Sequence, residues 1–163
     1  MKKTVLYLLL LGVTACTRSP KITTGLEGKA MPSFDLLLPD SLTHINTRNI
    51  PTGKPVVLFY FGPSCPYSRE EMENIIAGIR ELVNIRFYVF TNASFPAMRA
   101  FYKHYELHQY GNIVTGIDSA NFFGEYYKVP GYPYLAIFDG QKKLKQALLG
   151  KSDIGLLKKI ASQ

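Results

Sequence analysis

Residues 56–61, "VVLFYF", form a run of β-branched and aromatic residues with no charge and no alternation. A strand of that kind is buried on both faces, as central strands of parallel sheets are. Such a sheet needs cover on both sides, which restricts the chain to an α/β architecture. The run leads directly into "GPSCPYSREE", where Cys65 sits between two prolines. From Pro66 the apolar period changes. Met72, Ile75, Ile76, Ile79, Leu82 and Val83 share one face at helical spacing. Cys65 is therefore predicted at a switch from buried strand to helix.

The rest of the chain supplies the other layers. Strands are predicted at 34–39, at 42–46, at 85–90 ("IRFYVF"), and at 134–140, which runs into an Asp-Gly turn. Residues 142–149 return as the hairpin partner of that last strand. Helices are predicted over 94–107, capped by Ser94 with Pro96 in the first turn, over 118–129, and over 152–160. The order β-β-β-α-β-α-α-β-β-α implies an α/β sandwich whose terminal hairpin makes the central sheet mixed.

The amino terminus reads differently. Lys2 and Lys3 precede "TVLYLLLLGV", which is too short to span a bilayer and suits the core of a signal peptide. The run ends in "VTAC", which resembles a bacterial lipobox. That resemblance implies cleavage before Cys16 and lipidation of its sulfur and amino group. The alternative is an ordinary signal peptide in which Cys16 is incidental. The expected organisation is a lipoprotein signal peptide at 1–15, a lipidated tether at 16–30 ("TRSPKITTGLEGKA" follows Cys16) and one folded domain at 31–163. The protein would sit in the cell envelope, anchored by lipid with its domain facing the periplasm; which membrane holds it is left open. Cys16 and Cys65 are the only cysteines. With Cys16 lipidated, Cys65 is the sole thiol, and the fold holds without an internal disulfide. The formal net charge of +7 falls to about +5 without Lys2 and Lys3. The basic residues are scattered with no aromatic–basic stripe, so nucleic acid is not an expected partner. A monomer is expected.

Cys65 carries the chemistry. A helix starting at Pro66 would point unpaired N–H groups and the positive end of its dipole at the sulfur, which favours thiolate. Proline suits the first helical position, and Arg69, one turn on, adds positive potential. The plainer alternative is a buried, inert cysteine packed as a small apolar residue.

The segment "VVLFYFGPSCPYSREEM", 56–72, resembles the active-site segment of thioredoxin-like proteins. It is most similar to envelope-tethered reductases of the TlpA type, whose pattern reads roughly V-V-L-x-F-W-x-x-W-C-x-x-C-x-x-E-M. Val56, Val57, Leu58, Cys65, Pro66, Glu71 and Met72 match without a gap. "YKVPGYPYLAIFDG", 127–140, resembles a second family segment in which Pro133 is the cis-proline and Tyr132 precedes it. The resemblance implies a thioredoxin-like three-layer sandwich with a mixed central sheet flanked by helices. It also implies that Cys65 is the nucleophile. Tyr132 and Pro133, with Pro66, Tyr67 and Ser68, would form the edge that meets substrate.

The chain departs from the pattern where resolution happens. Ser68 replaces the second cysteine and Ser64 the preceding tryptophan, and Phe59 stands where some thioredoxins carry a buried acid. A Cys65 thiolate could attack a substrate disulfide, but a hydroxyl of high pKa cannot release the product. Release would need an external thiol reductant or a second thiol on the substrate, giving monothiol reduction or isomerisation on envelope proteins that bear cysteines or disulfides. "CPYS" also resembles the glutaredoxin C-P-Y-C motif with its last cysteine changed. No cofactor is expected.

Other readings are open at this stage. A thioredoxin-fold module could bind a partner without catalysis, using exposed Tyr67, Tyr132 and Tyr134. A one-cysteine peroxidase fits less well, because Gly62 and Leu58 occupy positions where that family has Thr or Ser and Pro. His104 and His108 lie four apart on a predicted helix, but no third ligand completes a metal set, so no metal site is expected. Tyr102, Tyr105, Tyr110, Tyr126 and Tyr127 read as core and sheet-covering contacts.

Overall fold

A computed structural model describes residues 21–162. The expected signal peptide and Cys16 lie outside the described residues. The strands are β1 (Lys21–Ile22), β2 (Asp35–Leu37), β3 (His44–Asn46), β4 (Val56–Tyr60), β5 (Arg86–Thr91), β6 (Ile113–Ile117), β7 (Tyr134–Phe138) and β8 (Leu144–Leu149). The helices are α1 (Pro66–Ala77), α2 (Phe95–His104), α3 (Phe122–Tyr126) and α4 (Ile154–Ala161). All strands join one eight-stranded sheet in the order β1-β8-β7-β4-β5-β6-β2-β3.

The strand from which the sequence was read is the centre of this sheet. β4 runs parallel to β5 and antiparallel to β7, with Phe59 opposite Val89 on one side and Leu135 on the other. Every residue of β4 is buried. Strand geometry sends alternate side chains to opposite faces. Val57 and Phe59 join Met72, Ile75, Met98 and Leu157 under α1, α2 and α4. Val56, Leu58 and Tyr60 join Phe34, Ile50, Phe123 and Tyr127 under α3 and the N-terminal segment. The expected mixed sheet flanked by layers on both faces is therefore present.

Several elements differ from expectation. β6, in "NIVTGI", was not predicted, because Thr115 and Gly116 interrupt its apolar run. Gly116 is needed there: a Cβ would lie 3.1 Å from both Leu36 Cβ and the Leu37 carbonyl of β2, the antiparallel neighbour of β6 in the sheet. α1 stops at Ala77 rather than continuing to Val83. Gly78 caps it, and a Cβ at Gly78 would meet Ile154 of α4 at 3.0 Å. Leu82 is still buried beyond that break, while Val83 is 58% exposed. α2 ends at His104, so His104 and His108 do not share one helix; Glu106 adopts a left-handed φ of 48° between them. Ser94 occupies the N-cap of α2 but makes no side-chain cap bond.

The tether expectation also needs correction over residues 21–30. Lys21 and Ile22 pair with Leu148 and Ala147 of β8, and Ala30 bridges Lys143. The Gly28 amide donates to the Leu144 carbonyl at 2.7 Å, and the Leu144 amide donates to the Lys29 carbonyl at 2.9 Å. β8 would otherwise be an edge with unpaired backbone groups, and this segment satisfies them.

Candidate functional site

β4 delivers the chain to the carboxyl end of the sheet, where the Cys65 loop turns within a few residues. The Cys65 amide donates to the Gly62 carbonyl at 2.9 Å, and the Ser68 and Arg69 amides donate to the Cys65 carbonyl at 3.1 and 3.2 Å. Cys65 is thus the N-cap of α1, with Pro66 in its first turn as expected. Gly62 permits the turn: a Cβ there would stand 3.0 Å from Tyr132 Cδ2 and 3.2 Å from Cys65 Cβ. Arg69 braces the same loop through Nε, which donates to the Pro63 carbonyl at 3.3 Å.

Contrary to the expectation from sequence, the sulfur takes no bond from the free amides of the helix; Cys65 makes no side-chain cap bond. Its Sγ instead donates to the Tyr132 carbonyl at 3.6 Å. A carbonyl oxygen only accepts, so in this contact the sulfur is on the donor side. Cys65 is a free, partly exposed cysteine, so it is not packed away as a core residue.

The peptide bond between Tyr132 and Pro133 is cis, at the position expected. Pro133 is itself buried, and its carbonyl accepts the Gly150 amide at 2.8 Å. Of the residues expected at the substrate edge, Tyr67 is 62% and Tyr132 36% exposed, and Pro66 is exposed. Ser68 is not at that edge. It is fully buried, and its Oγ accepts the Gly62 amide at 3.2 Å from behind the loop. Tyr134 is fully buried as well, so it cannot serve as an exposed binding aromatic. Phe59 is sealed in the core against Phe61, with ring centroids 6.2 Å apart.

Tyr132 is held by a polar network. Its hydroxyl donates to Asn92 Oδ1 at 3.0 Å, and Asn92 Nδ2 donates to Asn121 Oδ1 at 3.0 Å. The Tyr60 hydroxyl donates to the same Asn121 oxygen at 2.7 Å, and the Tyr60 ring lies 5.1 Å from that of Tyr132. Burial, with the Tyr132 hydroxyl as a second cause, pushes the Tyr60 phenol far above its ordinary value, so it stays a donor. Asn121 has a left-handed φ of 51°, and any Cβ at Gly124 would overlap its Oδ1. Buried Asp118 fixes the next turn by accepting the Phe122 and Phe123 amides at 3.1 and 2.8 Å.

No protein-family model matches the sequence, and no curated protein matches it. Solved structures do. A secreted Mycobacterium tuberculosis disulfide oxidoreductase homologous to E. coli DsbE aligns over 80% of this chain and 96% of its own, at 19% identity and a TM-score of 0.64. The thioredoxin domain of a thiol-disulfide oxidoreductase from Bacteroides vulgatus aligns over 83% and 97%, at 15% identity and a TM-score of 0.67. StoA from Bacillus subtilis aligns over 79% and 96%, at 14% identity and a TM-score of 0.62. The fold is thioredoxin-like.

Within this thioredoxin-like domain, sequence reading missed Tyr60, Asn92 and Asn121 as site residues. A signal was available. Tyr60 and Asn92 lie at or just beyond the carboxyl ends of β4 and β5, the end of an α/β sheet where sites form, whereas Asn121 follows β6, which was not predicted. It also gave Glu71 no role. Glu71 is fully buried on α1, where Oε2 accepts the Ser152 amide at 2.6 Å and Oε1 takes the Ser152 hydroxyl. Burial raises its pKa to about 7, against the opposing pull of both Ser152 bonds and the Lys151 charge. The contact ties the helix that Cys65 begins to the start of α4. Beside the loop lies an open cleft of about 450 Å³ between α1 and α2, walled by Ser64, Arg69, Phe101 and His104.

Proposed function

We propose that the protein is a lipid-anchored envelope protein whose thioredoxin-like domain performs thiol–disulfide exchange with a single cysteine. Cys65 gives its proton to water and, as thiolate, attacks a disulfide on a cysteine-bearing envelope protein, breaking its S–S bond. One partner sulfur becomes bonded to Cys65, and the other leaves as thiolate and takes a proton from water. An external thiol then attacks the mixed disulfide, giving monothiol reduction, or a second thiol of the same partner does so, giving isomerisation. Lipidation at Cys16 holds the domain at the membrane on its periplasmic side.

The observation that carries this reading is the pairing of a partly exposed Cys65 sulfur with the backbone carbonyl of Tyr132, next to the cis bond, at 3.6 Å. Partner backbone running along Tyr132 would bring its sulfur to Cys65. Ser68, buried behind the loop, has no path to such an adduct.

One observation favours a second reading, a module that binds without turnover. Tyr67 and Tyr132 flank the sulfur and are exposed enough to hold a partner by themselves. Acid-quenched alkylation followed by intact mass separates the two. Disulfide-linked adducts on Cys65, lost in Cys65→Ala, support exchange. A thiol that stays free and unreactive toward disulfides, with partner binding intact in Cys65→Ala, establishes the binding module instead.

A further inference from the structure

The register of the sheet fixes which end of the domain the chain enters. β4 ends next to the Cys65 loop. β7 is antiparallel to β4 and begins at that same end, with Tyr134 opposite Tyr60. β8 is antiparallel to β7 and finishes there, with Leu149 opposite Tyr134. β1 is antiparallel to β8 and starts there, with Lys21 opposite Leu148. Lys21, where the described chain begins, therefore lies at the Cys65 end of the sheet. Three strand spacings separate β1 from β4, a lateral offset of about 14 Å.

The stretch between Cys16 and Lys21 is short. Only residues 17–20 separate the two. Even fully extended, the backbone from Cys16 to Lys21 reaches no more than about 18 Å. Had residues 21–30 been free, as expected from sequence, the domain could have turned any face to the membrane. Their pairing along β8 removes that freedom.

The same end is rich in exposed aromatic rings. Tyr67 lies in the first turn of α1, and Tyr132 lies in the loop entering β7. Phe122 and Tyr126, in the connection from β6 to β7, are 36% and 39% exposed and stack on each other at 5.7 Å. Arg69 and Lys128 are exposed cations nearby, with Glu70 and Glu125 as the acids among them. Aromatic rings with polar edges, mixed with cations, are the side chains that settle at headgroup depth.

We infer that this end of the domain rests against the bilayer, with Cys65 turned toward the membrane surface. The occupant of the aromatic rim is lipid, and the disulfides that Cys65 can reach are those held within a few residues of a membrane. The inference rests on the lipid anchoring and exchange proposed above. It narrows the substrate class from envelope proteins at large to membrane-proximal cysteine pairs.

The chain has no tryptophan, so single reporters can be placed cleanly. The full chain, purified with its lipid, is reconstituted in phosphatidylethanolamine–phosphatidylglycerol vesicles containing brominated acyl chains. Tyr67→Trp reports on the Cys65 end. Val83→Trp, equally exposed, reports on the opposite end, where β5 begins. Quenching several-fold stronger for Tyr67→Trp is the expected result. Equal quenching, or stronger quenching for Val83→Trp, overturns the orientation. The exchange rate of Cys65 with a neutral soluble disulfide is measured on the same preparation, so loss of exchange is seen separately. A chain whose intact mass carries no lipid overturns the anchoring reading, and this inference with it. A second chain, with a flexible insert of about 20 residues after Pro20, keeps the anchor and releases the constraint; the difference between the two reporters should then shrink.

Discussion

The Cys65 sulfur and the Tyr132 carbonyl oxygen meet at 3.6 Å, although the two residues are 67 positions apart, on the loops that leave β4 and enter the neighbouring β7. Tyr132 is in turn held by Asn92. Asn92→Ala removes the acceptor of the Tyr132 hydroxyl and loosens the carbonyl that caps the sulfur. Alkylation of Cys65 by iodoacetamide at neutral pH should accelerate by about two- to ten-fold, the range set by one lost hydrogen bond. An unchanged rate would show that the network does not control access to the thiol.

Ser68 braces the loop through its bond to the Gly62 amide. Ser68→Ala leaves that buried N–H without an acceptor and should destabilise the domain by about 1–2 kcal/mol in urea unfolding. Ser68→Cys rebuilds a C-x-x-C pair. Under mild oxidant this variant should lose both free thiols to an internal disulfide, read as the loss of two hydrogens in the intact mass. The parent chain should show no such change at Cys65.

Gly62→Ala tests how closely the loops approach. Its methyl would press on Tyr132 Cδ2 and Cys65 Cβ, both within 3.2 Å. A stability loss of about 1–3 kcal/mol is expected, together with altered Cys65 reactivity, because the two loops must separate. Thermal unfolding and alkylation rate, measured on one sample, check both.

Glu71 gives the domain a pH dependence whose sign is set by burial. Its pKa rises from the ordinary 4.5 to about 7. Between these values the folded state keeps a proton that the unfolded state has released. Stability from this group therefore falls as pH rises through that window and levels off above about 7. The full change is at most on the order of 3 kcal/mol. Glu71→Gln should flatten the slope of unfolding free energy between pH 4.5 and 7. A slope equal to that of the parent would show that Glu71 is already charged throughout.

The parts of the fold that were legible in the sequence are those where one residue type repeats a physical constraint. β4 is an uninterrupted apolar run and β5 is one from Phe87 to Phe90, and both are buried there. Pro66 and Pro133 each fix the backbone in one way, and both stand where expected. β6 was not legible because Gly116 answers to the approach of β2, a contact with no local signature. The early end of α1 at Gly78 has the same origin in α4. Residues 21–30 carry a loop-like composition, but their amides are recruited by the exposed edge of β8, which no local pattern announces. At the site, Cys65 and Tyr132 could be found by motif. Asn92 and Asn121 could not, since single asparagines after strands are also ordinary turn residues.

On the proposed mechanism, with Ser68 walled in behind Gly62, the clock for undoing a bond at Cys65 would sit outside the molecule. In the exchange proposed above, how long a captured partner stays attached is then a measure of how many free thiols the neighbourhood offers. A scarce supply would turn a brief visitor into a lasting passenger.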